Sequence, residues 1–119
     1  MVWRMLRGEI WQVDLDPARG SEANKRRPAV LVSNDRANGA AAQLGRGVVT
    51  VVPITSNTDK IFPFQVLLSA KTSGLQVDSK AQAEQVRSIA TQRLLRRIGQ
   101  VSPAELADID DALRLHLAL

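Results

Sequence analysis

Apolar and polar residues alternate from Gly8 to Leu15, with Trp11, Val13 and Leu15 on one side and Gln12 and Asp14 on the other. A period of two predicts a half-buried strand. Turn chemistry follows in Asp16-Pro17-Ala18-Arg19-Gly20-Ser21, and residues 17–27 read as a long polar, basic loop. Ala29 to Ser33 is a short apolar run suited to a buried strand. Asn34 to Asn38 could open a short helix, which Gly39, Gly45 and Gly47 would soon interrupt. Val48 to Ile54, closed by Pro53, and Phe64 to Ser69 read as two more strands. A Ser73-Gly74 turn precedes Leu75 to Val77, and Ile98 to Val101 reads as the last strand. Ala81 to Ala90 is ambiguous, since its composition alone favours helix.

The clearest element is C-terminal. Ser102 suits an N-cap, Pro103 the first helical position, and Glu105 completes a capping box. Leu106, Ile109, Leu113 and Leu117 recur at helical spacing, with Asp108, Asp110 and Asp111 off that stripe. About six short strands followed by one amphipathic helix predict a mainly β fold. That is an antiparallel barrel or strongly bent sheet with the C-terminal α-helix against it.

A length of 119 residues suits one domain, 1–119, and 45% hydrophobic residues can fill its interior. No apolar run reaches the ~18 residues needed to span a bilayer. No secretory leader is expected either, and with no cysteine in the chain a reducing cytoplasm is the natural compartment. The absence of cysteine removes disulfides, thiolate zinc sites and cysteine nucleophiles. The net charge is +4, unevenly spread. Residues 1–101 hold 15 Lys/Arg against 8 Asp/Glu, whereas residues 102–119 hold one Arg against four acids. A basic body suggests a polyanionic partner.

The single histidine, His116, excludes Ser-His-Asp and two-histidine sites, and its place near the helix end puts it at the edge of the packing face. Asp14 and Asp16 share a strand face, but a turn opening on Asp16-Pro17 explains the second without a metal. No phosphate-cradling glycine motif is present. Basic residues and hydroxyls remain, and RNA cleavage is a reaction they can run. The 2′-hydroxyl of RNA attacks its own phosphorus, so the protein need only orient, neutralise charge and move protons. Arginine suits the charge, a hydroxyl can fix a phosphate oxygen, and DNA would be refused.

The segments that fit this chemistry also carry a resemblance. Arg7-Gly8-Glu9-Ile10-Trp11-Gln12-Val13-Asp14-Leu15-Asp16-Pro17 resembles the opening strand of MazF/PemK toxins, and Gly20-Ser21-Glu22 the loop after it. Arg27-Pro28-Ala29-Val30-Leu31-Val32 is similar to the family's Arg-Pro signature, and Val52-Pro53-Ile54-Thr55-Ser56 to its Pro-x-Thr signature. Phe62-Pro63-Phe64-Gln65-Val66 and Glu84-Gln85-Val86-Arg87-Ser88-Ile89 resemble later blocks. The resemblance is collinear from about residue 7 onward.

It implies an SH3-like barrel of the CcdB/MazF plasmid-maintenance toxin type, with Ala81 to Ala90 as a strand. It implies a metal-independent endoribonuclease, an mRNA interferase without cofactor, that leaves a 2′,3′-cyclic phosphate and a 5′-hydroxyl. The partners implied are single-stranded RNA, a second copy of the chain in a homodimer, and a cognate MazE-like antitoxin with an acidic, disordered tail. The alternative is a CcdB-like poison that binds a protein such as gyrase without turnover.

Arg27 falls on the family's catalytic Arg, for transition-state charge and proton donation, and Thr55 on its catalytic Thr, for bonding the scissile phosphate. Glu22 falls on the loop acid, as proton acceptor or as the group that positions Arg27. Lys25 and Arg26 would track the RNA backbone, Ser56 and Asn57 would line the groove, and Gln85 would contact a base or the phosphate. Phe62 would stack on a base or serve as a hydrophobic anchor for its loop. The PemK branch has an Arg and an Asp where this chain has Gln82 and Glu84, so the carboxylate is kept and a positive charge is lost. Trp11 reads as core, and the role of Trp3 is left open.

Overall fold

The computed structural model describes residues 4–119, so Trp3 lies outside the described residues. The strands are β1 (Glu9–Asp14), β2 (Arg26–Leu31), β3 (Val48–Thr55), β4 (Gln65–Leu68), β5 (Ser79–Gln82), β6 (Arg87–Ala90) and β7 (Leu94–Gln100). Helices α1 (Asp35–Leu44), α2 (Ala70–Ser73) and α3 (Pro103–Leu117) sit between and after them. The strands pair antiparallel in the order β4-β5-β3-β2-β1-β7, with β6 also on β3. Among the described residues no helix is long and apolar enough to cross a membrane.

The sheet buries both faces, and strand alternation decides which residue serves which. Ile10, Val30 and Val52 point into one cluster, closed by Ile109 and Ala112 of α3. Trp11, Val13, Ala29, Leu31 and Val51 point into the other, with Ala41 of α1. The side predicted for Trp11, Val13 and Leu15 is therefore right, but Ile10 buries the opposite face as well. The predicted capping box of α3 is present. Ser102 Oγ accepts from Glu105 N, and Glu105 accepts from Ser102 N. The second Glu105 oxygen accepts from Ser69 N, tying α3 to the start of α2.

Several expectations change. Arg26 and Arg27 belong to β2 rather than to the loop, which ends at Lys25. Helix α1 runs ten residues straight through the exposed Gly39, because Asn34 caps it and burial of Ala41 holds it. Leu117 is exposed, so the packed stripe of α3 ends at Leu113. Ala81 to Ala90 is not one strand. Val51 pairs with Arg87 and Ile54 with Ala81, so between these pairs two residues of β3 face five on the other chain segment. The surplus forms a 3-10 turn at Ala83–Gln85. Pro53, which has no N–H for a ladder, lies opposite this break.

Candidate functional site

The sheet face that packs on α3 turns polar at its other end. The registers set Arg96 of β7 opposite Gln12 of β1, and Gln12 opposite Pro28 of β2. These residues floor an open groove of about 570 Å³, with Ile54 and Ser56 at one side and Gly74 to Val77 as a wall. Lys25, Arg26, Arg27 and Arg96 line it, and no Asp or Glu does. A concave surface with four cations and no acid concentrates polyanions.

Arg27 and Thr55 line this same groove. The β2–β3 ladder pairs Ala29 with Pro53. The ladder stops there; Arg27, two residues before Ala29, and Thr55, two after Pro53, alternate to the side away from Pro28 and Ile54, and both are among the residues lining the groove. On the other side of Thr55 the ladder pairs it with Lys80 of β5. A guanidinium, a hydroxyl and an ammonium thus follow one another across three strands.

The local hydrogen bonds leave these groups free to act. Thr55 Oγ1 accepts from Asn57 N at 3.3 Å, so its own proton can be donated elsewhere. Arg27 Nε donates to Asn24 O at 2.7 Å, and its Nη2 donates to Asn24 Oδ1 at 3.1 Å. Three of its five N–H groups remain for a ligand. Asn24 is thus the residue that orients Arg27; the alternative that Glu22 does so is not what the structure shows. Glu22 is exposed and accepts from Arg19 N at 2.7 Å within its own turn.

The loop before β2 is fastened at many points. Gln85 Oε1 accepts from Ala23 N, and its Nε2 donates to Ser21 O. The expected base or phosphate contact of Gln85 is therefore replaced by a loop-holding one, because the 3-10 turn projects its amide onto the loop. Arg93 donates to the carbonyls of Asp14 and Asp16, and Arg87 to that of Leu15. Glu84 lies apart from the groove lining, with one oxygen accepting from Gln65 Nε2 at 2.6 Å and the other buried without a donor. Ser56 lines the groove; Asn57 lies next to it and accepts from Asp59 N. Phe62 also lies outside the lining, stacked on Phe64. Trp11 is core, and His116 is exposed with its ring 6.5 Å from Phe64.

Sequence reasoning missed Arg96 and Lys80. Starting the last strand at Ile98 left Arg96 unplaced, although Leu94-Leu95 before it carries the β pattern. Lys80 sits in a stretch whose composition hides the strand, two residues before Gln82 and on its face, where it supplies a positive charge that Gln82 does not.

Residues 6–117 match the model of a family described as PemK-like, MazF-like toxin of type II toxin–antitoxin system. The chain is 76% identical over 115 residues to Endoribonuclease MazF9 of Mycobacterium tuberculosis, covering 97% of this chain and 98% of that one. It is 33% identical over 114 residues to Endoribonuclease EndoA of Bacillus subtilis, covering 95% and 94%. Its fold is similar to that of MazF from Deinococcus radiodurans, with a TM-score of 0.80 at 24% identity over 98% of this chain and 99% of that one. An endoribonuclease from a mycobacterial species, solved in complex with its cognate antitoxin, gives a TM-score of 0.77 at 24% identity over 97% and 96%. Those structural likenesses bear on the fold, a mainly antiparallel sheet with a C-terminal helix of the SH3-like barrel type. Over nearly its whole length, the chain belongs to the PemK-like, MazF-like toxin family of type II toxin–antitoxin systems.

Proposed function

We propose that the protein is an endoribonuclease toxin that cleaves single-stranded RNA by attack of the 2′-oxygen on the adjacent phosphorus. The bond from phosphorus to the 5′-oxygen breaks, leaving a 2′,3′-cyclic phosphate and a 5′-hydroxyl. Arg27 neutralises the charge that builds on the phosphate and gives the proton that the leaving 5′-oxygen takes. The Thr55 hydroxyl donates to a non-bridging oxygen. The proton of the 2′-hydroxyl passes to solvent water in the open groove, because Glu22 lies outside the groove lining and accepts from Arg19 N within its own turn. Lys25 and Arg26 hold the backbone along the groove, and Ser56 and Asn57 border the scissile position. The nucleophile comes from the substrate, so the reaction needs no metal and refuses DNA.

The observation that carries this reading is that Arg27 and Thr55 line one groove, together with Lys25, Arg26 and Arg96 and with no acid. The protein acts as a homodimer, for which the exposed Val77 at the groove wall and Leu95 beside Arg96 supply apolar surface. A separate antitoxin with an acidic tail occupies the groove. Incubating the protein with mixed RNA in excess chelator tests the activity, and cyclic-phosphate ends are the expected product. Arg27→Ala should keep the fold and lower cleavage about 10²–10³-fold. Intact RNA with the unmodified protein, or full activity in Arg27→Ala, refutes the mechanism.

A further inference from the structure

Lys80 is only 8% exposed, yet no carboxylate among the described residues pairs with it. Its Nζ donates a single hydrogen bond, 2.6 Å long, to the Lys60 carbonyl oxygen. Two of its three donors therefore have no acceptor among the described residues. Burying an ammonium without a counter-charge is costly. Its ladder neighbours offer no relief. Leu67 on β4 is apolar, and Thr55 on β3 is neutral. This charge, with no carboxylate partner among the described residues, lies one strand from the Thr55 hydroxyl.

An aromatic stack stands beside it. The Phe62 ring is 6.0 Å from Lys80 Nζ and 4.6 Å from Lys60 Nζ. Its centroid is 5.3 Å from that of Phe64, with the planes 6° apart, and it is 38% exposed. Cations flanking a supported, accessible ring are the chemistry that grips a nucleotide, with phosphate on the ammonium and base on the ring.

We propose that Lys80 binds a substrate phosphate, that of the nucleotide lying on the Phe62 side of the scissile bond. It makes and breaks no bond and takes no proton; it anchors the strand so that the next phosphate falls between Thr55 and Arg27. The competing role is purely structural, in which Lys80 only pins the loop through the Lys60 carbonyl. The proposal rests on the ribonuclease reading above.

The two roles separate by salt dependence. Binding of a mixed-sequence 2′-fluoro RNA, which keeps the phosphates and lacks the nucleophile, is measured over a salt series. The proteins compared are the unmodified chain, Lys80→Met, Lys80→Gln and Lys80→Arg. A lost phosphate contact makes the slope of log K against log salt shallower by about 0.7. That change is expected in the Met and Gln variants and not in Arg. Gln retains a donor for the Lys60 carbonyl, so it reads the charge alone if Met fails to fold. A folded Lys80→Gln with the parental slope overturns the proposal while leaving the ribonuclease reading intact. No binding by the unmodified chain overturns both.

Discussion

Lys25 holds a left-handed backbone, φ +66°, that residues with a Cβ seldom adopt. Its N–H donates to the Asp16 carboxylate and its carbonyl accepts from Leu15 N, which closes the loop and delivers Arg26 and Arg27 into β2. Glycine would fit that conformation better, so Lys25→Gly should raise stability by up to about 1 kcal/mol. It should also weaken RNA binding, because one groove cation is gone. Thermal melts and RNA titrations check the pair of effects, and an unchanged affinity would remove Lys25 from the interface. Asn24 is the matching case of position without contact. With Asn24→Ala, one acceptor of the Arg27 guanidinium disappears, and kcat should fall about ten-fold or more with little change in KM. An equal loss in both would point to loop collapse instead. Arg27 and Thr55 were picked out through the resemblance, in the Arg-Pro and Pro-x-Thr blocks, and both line the groove. Asn24 was not, since its role arises from the loop folding back on β2. Lys80 was not, since only strand pairing brings it beside Thr55.

Elements were legible where their signals are local. The Ser102–Glu105 box and the Gly8–Leu15 alternation each lie within one segment, and both stand in the fold. The stretch from Ser79 to Ala90 was not, because its strand character comes from pairing with β3, and its break depends on a register offset that no local pattern records. The wall of the groove likewise depends on a distant contact. Gly74 ends α2 with φ +85°, and β7 passes against it so closely that a Cβ on Gly99 would lie 1.9 Å from the Ser73 carbonyl oxygen. Backbone on both sides leaves no flexible side chain to yield. Gly99→Ala should therefore destabilise the protein by about 3 kcal/mol or more, the upper range of overpacking. If it folds, Gly74 to Val77 must shift, and RNA affinity should fall with stability. A melting temperature within a degree or two of the parent would show that the close approach is not obligatory.

At the scale of the whole molecule, the charge asymmetry read from the sequence becomes a division of surfaces. Helix α3 covers the apolar end of the sheet face that holds the groove at its polar end. Its Asp110 is engaged by Arg7, while Asp108 and Asp111 border a separate cleft beside β4. The acids of α3 thus stay off the groove, and of its four lining cations only Arg26 has an ion-pair partner among the described residues, Asp14 at 4.0 Å. If an acidic antitoxin tail uses the same cations as RNA, the two ligands must exclude each other, and both affinities must weaken together as salt rises. Titrating an acidic antitoxin peptide into a complex of the protein with 2′-fluoro RNA should displace the RNA. Arg26→Ala and Arg96→Ala should each weaken both ligands. A peptide that binds tightly while leaving RNA affinity unchanged would place inhibition elsewhere, and neutralisation would then have to act through a change of shape.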